Sequence, residues 1–104
     1  WIFVKSTHNA WVHLALLVLA VVLGLVFDIT HTEWMALVCA CGFVLTAEAV
    51  NTAIEIDIDL TSPTYHPYAR DTKDVAAGAV LVAAVTAMII GLFIFLPHIL
   101  GLLK

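Results

Sequence analysis

Residues 47–59 read AEAVNTAIEIDID, and the interpretation of the other segments depends on this stretch. It continues an apolar run that starts at Trp34, which makes it the second half of a single helix. At about 100° per residue, four polar side chains fall within roughly 80° of one another on a helix whose other faces are largely apolar. These four side chains, called the acidic stripe below, belong to Glu48, Asn51, Glu55 and Asp59.

The composition indicates a membrane protein. The 104 residues are 63% hydrophobic and 12% charged, with a mean hydropathy of +1.10. A soluble domain of this size cannot bury so much apolar surface, so most of it must face lipid or other membrane helices. The net charge of −4 argues against a nucleic-acid partner. The sequence has no Walker A loop, dinucleotide-binding loop or nucleophile-elbow motif, so any nucleotide chemistry must use side chains carried on helices.

Three apolar segments predict an all-α membrane protein with three transmembrane helices. Residues 10–27 form an apolar run interrupted only by His13, and residues 75–96 carry no charge, so both can span. The spacing of Thr30 and Glu33 predicts a capping box where the second helix begins. Small residues recur every four positions in the third helix and allow helices to approach closely, within the chain or between subunits. They are Ala79, Ala83, Ala87 and Gly91.

The middle helix is long enough to cross the membrane only if part of the acidic stripe lies within the membrane. Its apolar part, residues 34–47, rises about 21 Å, which is less than the roughly 30 Å of the hydrocarbon core. We therefore expect Glu48 and Asn51 inside the membrane boundary, with Glu55 about 10 Å further along the axis and near the surface. Because polar side chains are costly at that depth, a site that handles cations and phosphates is favoured over a solvated helix end.

The segment between the second and third helices is predicted to be a polar connector over residues 60–72. The prolines of its SPTYHP sequence disfavour helical geometry in the residues that precede them. Asp71 is the expected cap of the third helix, with Asp74 in its first turn near the positive end of the helix dipole. Pro97 is expected to end or kink the same helix.

The basic residues predict the orientation in the membrane. In a three-span topology, Lys5, Arg70 and Lys73 fall on one side and Lys104 on the other. The positive-inside rule then places the connector and the outer end of the acidic stripe at the cytoplasmic face, where ATP is found.

Three parts of the sequence together closely resemble the prokaryotic diacylglycerol kinase family. They are the acidic stripe, the Tyr65-His66-Pro67 segment and the KDVAAGAVL segment at residues 73–81. Members of this family are three-span membrane lipid kinases unrelated to soluble kinases. The resemblance covers residues 9–96, and the Glu-x-x-Asn-x-x-x-Glu-x-x-x-Asp spacing is highly specific. The YHP, KDVAAG and IFLP segments look more like the undecaprenol kinase branch than the diacylglycerol kinase branch.

This resemblance implies ATP- and magnesium-dependent phosphorylation of a lipid hydroxyl, on undecaprenol or diacylglycerol, in the bacterial inner (cytoplasmic) membrane. It also implies a homotrimer whose active sites are shared between subunits. Glu48 matches the family's general base, and Glu55 matches a glutamate that binds metal. The ATP-binding positions are matched by Asn51, Tyr65, His66, Lys73 and Asp74. Asn9 and Asp59 match supporting positions.

The chain departs from the family pattern at Thr7, where the family has a glutamate that helps to bind metal and ATP. A hydroxyl is a weaker ligand for a hard cation than a carboxylate. We expect residues 1–104 to form one lipid kinase domain, with the family's N-terminal surface helix largely missing. The alternative is a catalytically degenerate or non-enzymatic helical oligomer, in which the acidic stripe is a cation or proton pathway or a structural seam.

Other polar and reactive residues are expected to have structural roles. His13 is predicted to form a hydrogen bond between helices, and Asp57, which points away from the stripe, is predicted to be solvated. His98 is expected at the opposite membrane face. Cys39 and Cys41 lie two positions apart in a helix and therefore project in different directions, so packing is favoured over a disulfide.

Overall fold

The computed structural model describes the chain from His8 to Leu103, with side chains from Trp11 onward, and it contains three helices in this part. The predicted all-α fold is confirmed. The helices are α1 (His8–Val26), α2 (His31–Thr61) and α3 (Pro67–Leu102). The predicted contributions of Lys5, Thr7 and the Asn9 side chain lie outside the described residues.

Two helices, α2 and α3, are long and apolar enough to cross a membrane within the described part of the chain. The apolar part of α1, Trp11–Val26, is shorter than either. The structure therefore supports two spans by length and composition, while a third span through α1 stays a prediction.

The turn between α1 and α2 is fixed at both helix ends. Asp28 adopts φ 50°, the left-handed conformation that asparagine and aspartate tolerate better than most residues. The Ile29 N–H donates to the carbonyl of Gly24 at 3.2 Å, and the Asp28 N–H donates to that of Leu25 at 3.3 Å, which together form a Schellman motif. Sequence reasoning did not foresee this motif because its left-handed residue is an aspartate and not a glycine.

The predicted capping box at the start of α2 is confirmed. The Glu33 N–H donates to the Thr30 hydroxyl at 3.2 Å, and the Thr30 N–H donates to the Glu33 carboxylate at 2.9 Å. Each bond satisfies a backbone donor that the first turn of a helix leaves open. The turn and the capping box together fix where the α1–α2 hairpin reverses.

A hydrophobic core forms beside this turn. Its buried members come from the turn, α2 and α3, and they are Ile29, Leu37, Ile94 and Phe95. The ring of Phe27 lies 6.4 Å from that of Phe95 and stacks on the imidazole of His98 at 5.5 Å. The three helices are therefore packed together at the end of the molecule opposite the outer end of the acidic stripe.

The connector before α3 is shorter than predicted, because α2 continues to Thr61 and α3 begins at Pro67. The prediction that Asp71 caps α3 was wrong. His66 occupies the cap position and its Nδ1 accepts the Tyr68 N–H at 3.2 Å. Proline suits the first position of a helix, since its fixed φ matches the helix and it has no N–H to satisfy. The predicted place of Asp74 in the first turn was wrong for the same reason.

Of the two effects predicted for Pro97, ending the helix is excluded, because α3 continues through this residue to Leu102, while a kink stays a prediction. Within the stripe of small residues, Ala83 is completely buried at 0% exposure inside the single chain. Its small side chain therefore serves packing between the chain's own helices. Ala87 and Gly91 are half-buried and line a groove described below.

Candidate active site

The deepest polar side chain of the acidic stripe is almost completely enclosed. Glu48 is 1% exposed, although it carries a carboxylate. Its Oε1 lies 3.0 Å from Nε2 of His13 on α1, so the predicted hydrogen bond of His13 between helices is confirmed. Its Oε2 is buried and has no hydrogen-bond partner among the described residues. An unsatisfied buried carboxylate oxygen is costly and marks a place where a further polar group can be bound.

A second polar pair lies one helical turn further along the stripe. The amide Nδ2 of Asn51 donates to Oε1 of Glu55 at 3.4 Å, a long bond between neighbours on the same helix face. Asn51 is 8% exposed, and its Oδ1 is buried without a partner in the described part of the chain. The pair therefore presents an amide oxygen and a half-buried carboxylate side by side.

Burial within the chain decreases along α2 from Glu48 to Asp59, whereas the depth of these residues in the membrane stays a prediction. Glu48 and Asn51 are buried, Glu55 is half-buried and Asp59 is exposed. Glu48 and Glu55 are separated by about 10 Å along the helix axis. Asp57 is exposed, as predicted, and its carbonyl accepts a hydrogen bond from the Thr61 hydroxyl at 2.7 Å. The stripe thus leads from an enclosed carboxylate to a solvated one.

Basic residues of α3 lie at the solvated end of the stripe. Lys73 forms an ion pair with Asp59 of α2, which brings the two residues together across the connector. Arg70 donates to the Tyr65 hydroxyl at 3.3 Å and to the Asp71 carboxylate at 3.3 Å. Sequence reasoning placed Tyr65 in the site but did not foresee its contact with Arg70, which no helical spacing predicts because Tyr65 lies in the connector.

The other residues predicted to bind the nucleotide lie at the surface of the connector and α3. Tyr65 is 74% exposed, and His66 and Asp74 are exposed as well. His66 uses one ring nitrogen to cap α3, and its ring lies 5.5 Å from that of Tyr68 in a tilted arrangement, so its position is fixed by the helix start. The structure shows no contact that joins Asp74 to the acidic stripe among the described residues.

Two grooves lie beside the stripe. One, of about 620 Å³, lies between α2 and α3 and is bordered by Asn51, Tyr68 and Thr72. The other, of about 400 Å³, is almost wholly apolar and is lined by all three helices; among the described residues, its ionisable side chains are those of His13 and Cys41. The apolar groove extends from His13 to Phe95 at the opposite end of the bundle. Both grooves are largely apolar, and Glu48 is linked to each through a neighbour: its partner His13 lines one, and Asn51, one turn along α2, borders the other.

The donor set of the stripe fits magnesium in its usual mode. Mg²⁺ is bound by one or two carboxylates, retains several waters and takes further oxygens from substrate phosphates. The half-buried Glu55 carboxylate and the unpartnered Asn51 oxygen supply ligands of this kind. No group of three or more His, Cys, Asp or Glu gathers in the part of the chain that the structure describes. The described residues therefore do not form a metal site from protein ligands alone.

Comparison with known proteins places the chain among lipid kinases. The family profile described as prokaryotic diacylglycerol kinase matches residues 1–95. Undecaprenol kinase of Bacillus subtilis is 38% identical over 99 residues, which cover 95% of this chain and 80% of that protein. Diacylglycerol kinase of Synechocystis is 48% identical over 80 residues, covering 73% of this chain and 46% of that protein. Diacylglycerol kinase of Escherichia coli is 28% identical over 101 residues, covering 90% and 83%. No solved structure gives a significant match.

Proposed function

This chain belongs to the prokaryotic diacylglycerol kinase family, and from that membership we propose the lipid, the residues and the assembly through which it acts. The protein is an ATP-dependent lipid kinase of a membrane. Its preferred substrate is proposed to be undecaprenol, with diacylglycerol as the second candidate, in the bacterial inner membrane. The preference is supported by the extent of the match to undecaprenol kinase, which covers 95% of this chain.

The observation that carries the assignment of the site is the burial of Glu48. A carboxylate that is 1% exposed, with one oxygen bound by His13 and the other without a partner, can accept a proton from a hydroxyl that arrives along the apolar groove. A lipid alcohol is such a substrate, because its tail suits the apolar groove and its hydroxyl lies at its polar end. Glu48 is therefore proposed as the general base.

The proposed reaction is an in-line phosphoryl transfer. As Glu48 takes the proton of the lipid hydroxyl, the hydroxyl oxygen forms a bond to the γ-phosphorus and the bond from phosphorus to the bridging oxygen of ADP breaks. Magnesium, when bound, neutralises charge on the phosphates. Glu55 and Asn51 would hold the metal and phosphate side of the site, and Lys73 would contribute positive charge to the phosphates. Tyr65, His66 and Asp74 border the nucleotide from the connector and α3.

The three helices are proposed to act as one domain, with α1 as the third span, in a homotrimer with shared active sites. The support is the family membership and the large apolar surface that the single chain leaves exposed on α1 and α3. Exposed apolar side chains on these helices include Leu16, Leu19, Val82, Val85, Met88 and Phe93. Such surface can face lipid or neighbouring subunits.

A substrate panel tests the proposal. The purified protein in lipid is incubated with labelled ATP, magnesium and either undecaprenol or diacylglycerol, and labelled lipid is separated and counted. Glu48→Gln should lose most turnover on every lipid while it still binds nucleotide, because Glu48 and Glu55 are about 10 Å apart along α2. Glu33→Gln is the matched control, since Glu33 is also paired with a histidine, His98, at 3.4 Å but lies at the other end of the bundle. Unaltered turnover of Glu48→Gln would favour the alternative, a polar seam without catalysis.

A further inference from the structure

The two oxygens of the Glu48 carboxylate have different surroundings. Oε1 lies 3.0 Å from Nε2 of His13, which belongs to another helix. Oε2 is equally buried but has no partner within residues 8–103. Only one of the two oxygens is therefore available to a group that enters the site. His13 is 17% exposed at its side chain, so it is partly shielded from solvent as well.

We propose that His13 is a positioning residue for Glu48, which holds Oε1 and thereby presents Oε2 as the oxygen that accepts the proton of the lipid hydroxyl. The inference rests on the proposed function, since it assigns an atom of the proposed base. A glutamate side chain has several rotatable bonds, and a contact at one oxygen restricts its rotamers. A base must lie within hydrogen-bond reach of the proton that it takes, so a fixed carboxylate reacts more often than a mobile one.

The position of His13 in the fold supports this role. It lines the apolar groove, where the other lining residues of α1 are aliphatic. Its ring therefore lies where the groove meets the Glu48 carboxylate, on the path that an apolar tail and its terminal hydroxyl would share. The Glu48 backbone is held by α2, whereas His13 belongs to α1, so the contact also couples the orientation of the base to the packing of α1 on α2.

Two amide substitutions at His13 distinguish a role in positioning Glu48 from the effect of merely having a polar side chain at this place in the packing. Glutamine has an N–H at a reach similar to that of histidine Nε2, whereas the shorter asparagine cannot reach Oε1. His13→Gln should keep most of the wild-type kcat. His13→Asn should lower kcat by about a hundredfold with little change in the KM for ATP, because a misplaced catalytic group costs about this factor. The measurement is steady-state transfer of labelled phosphate to undecaprenol and diacylglycerol.

The control is His98→Asn, which removes a histidine from the second pair of this kind, with Glu33, far from the site. It should leave kcat within about threefold, as expected for the loss of one weak contact remote from the reacting atoms. Equal kcat values for His13→Gln and His13→Asn would overturn the inference, whether both are active or both are impaired. A loss confined to the KM for ATP would overturn it too. Failure of the wild-type protein to phosphorylate any lipid would instead overturn the proposed function itself.

Discussion

The ammonium group of Lys73 and the carboxylate of Asp59 form an ion pair that joins the start of α3 to the end of α2. Both side chains are substantially exposed, 37% for Lys73 and 68% for Asp59. An exposed pair contributes about 0 to 1 kcal/mol, so it orients Lys73 without holding it firmly. Lys73 is thus kept near the acidic stripe and can still exchange its partner for a phosphate.

Replacing Lys73 by methionine should weaken the use of ATP. The change keeps the apolar stem and removes the charge, so kcat/KM for ATP should fall by about tenfold to a hundredfold, equivalent to about 1.5 to 3 kcal/mol for a hydrogen bond to a charged group. Arg70→Met, which removes an exposed cation of the same helix, is the control. Equal losses for both variants would mean that only the general positive charge of this region matters.

Glu55→Gln should abolish phosphoryl transfer at ordinary magnesium concentrations. The amide keeps the size of the side chain and can still lie beside Asn51, but it removes the negative charge that a hard cation requires. Turnover measured across a magnesium titration should recover only in part at high metal concentration. Asp57→Asn removes an exposed carboxylate from the same helix and should retain turnover. Normal activity of Glu55→Gln at low magnesium would contradict the assignment.

A methyl group at Gly24 should destabilise the α1–α2 hairpin. A Cβ built at Gly24 would lie 2.5 Å from Cη2 of Trp34, which is closer than packed carbon atoms can approach. We expect Gly24→Ala to lower the free energy of unfolding by about 1 to 3 kcal/mol, the usual cost of overpacking. Thermal unfolding in detergent measures this change. Gly101→Ala, where a Cβ would meet nothing within 4 Å, should cost nothing; similar losses in both variants would contradict the packing argument.

Two alanines among the regularly spaced small residues of α3 should respond differently to replacement by leucine. Ala83 is completely buried within one chain, so Ala83→Leu should destabilise the fold itself by about 1 to 3 kcal/mol. Ala87 is half-buried beside the apolar groove, so Ala87→Leu should loosen the proposed trimer. Light scattering after size-exclusion chromatography gives the mass of the assembly. A wild-type protein that is monomeric and fully active in mild detergent would exclude shared sites.

The all-α fold could be predicted from the sequence alone, and the polar residues of the middle helix could be recognised as a candidate site. Helix periodicity and capping are local properties, because they depend on residues within a few positions of one another. The local features used here are the apolar segments long enough to span, the Thr30–Glu33 spacing and the placement of Glu48, Asn51 and Glu55 on one helix face. These features sufficed to predict an all-α membrane protein with a row of polar residues on one face of the middle helix.

Which helices supply the contacting residues, and which polar atoms have a partner, became evident only from the packing of the helices. Neither the contact of His13 with one oxygen of Glu48, nor the ion pair of Lys73 with Asp59, follows from spacing along a helix. The start of α3 was also misplaced, because a histidine cap followed by proline took the position assigned to Asp71. Such contacts depend on how helices from distant parts of the chain pack, and periodicity within one helix carries no information about that packing.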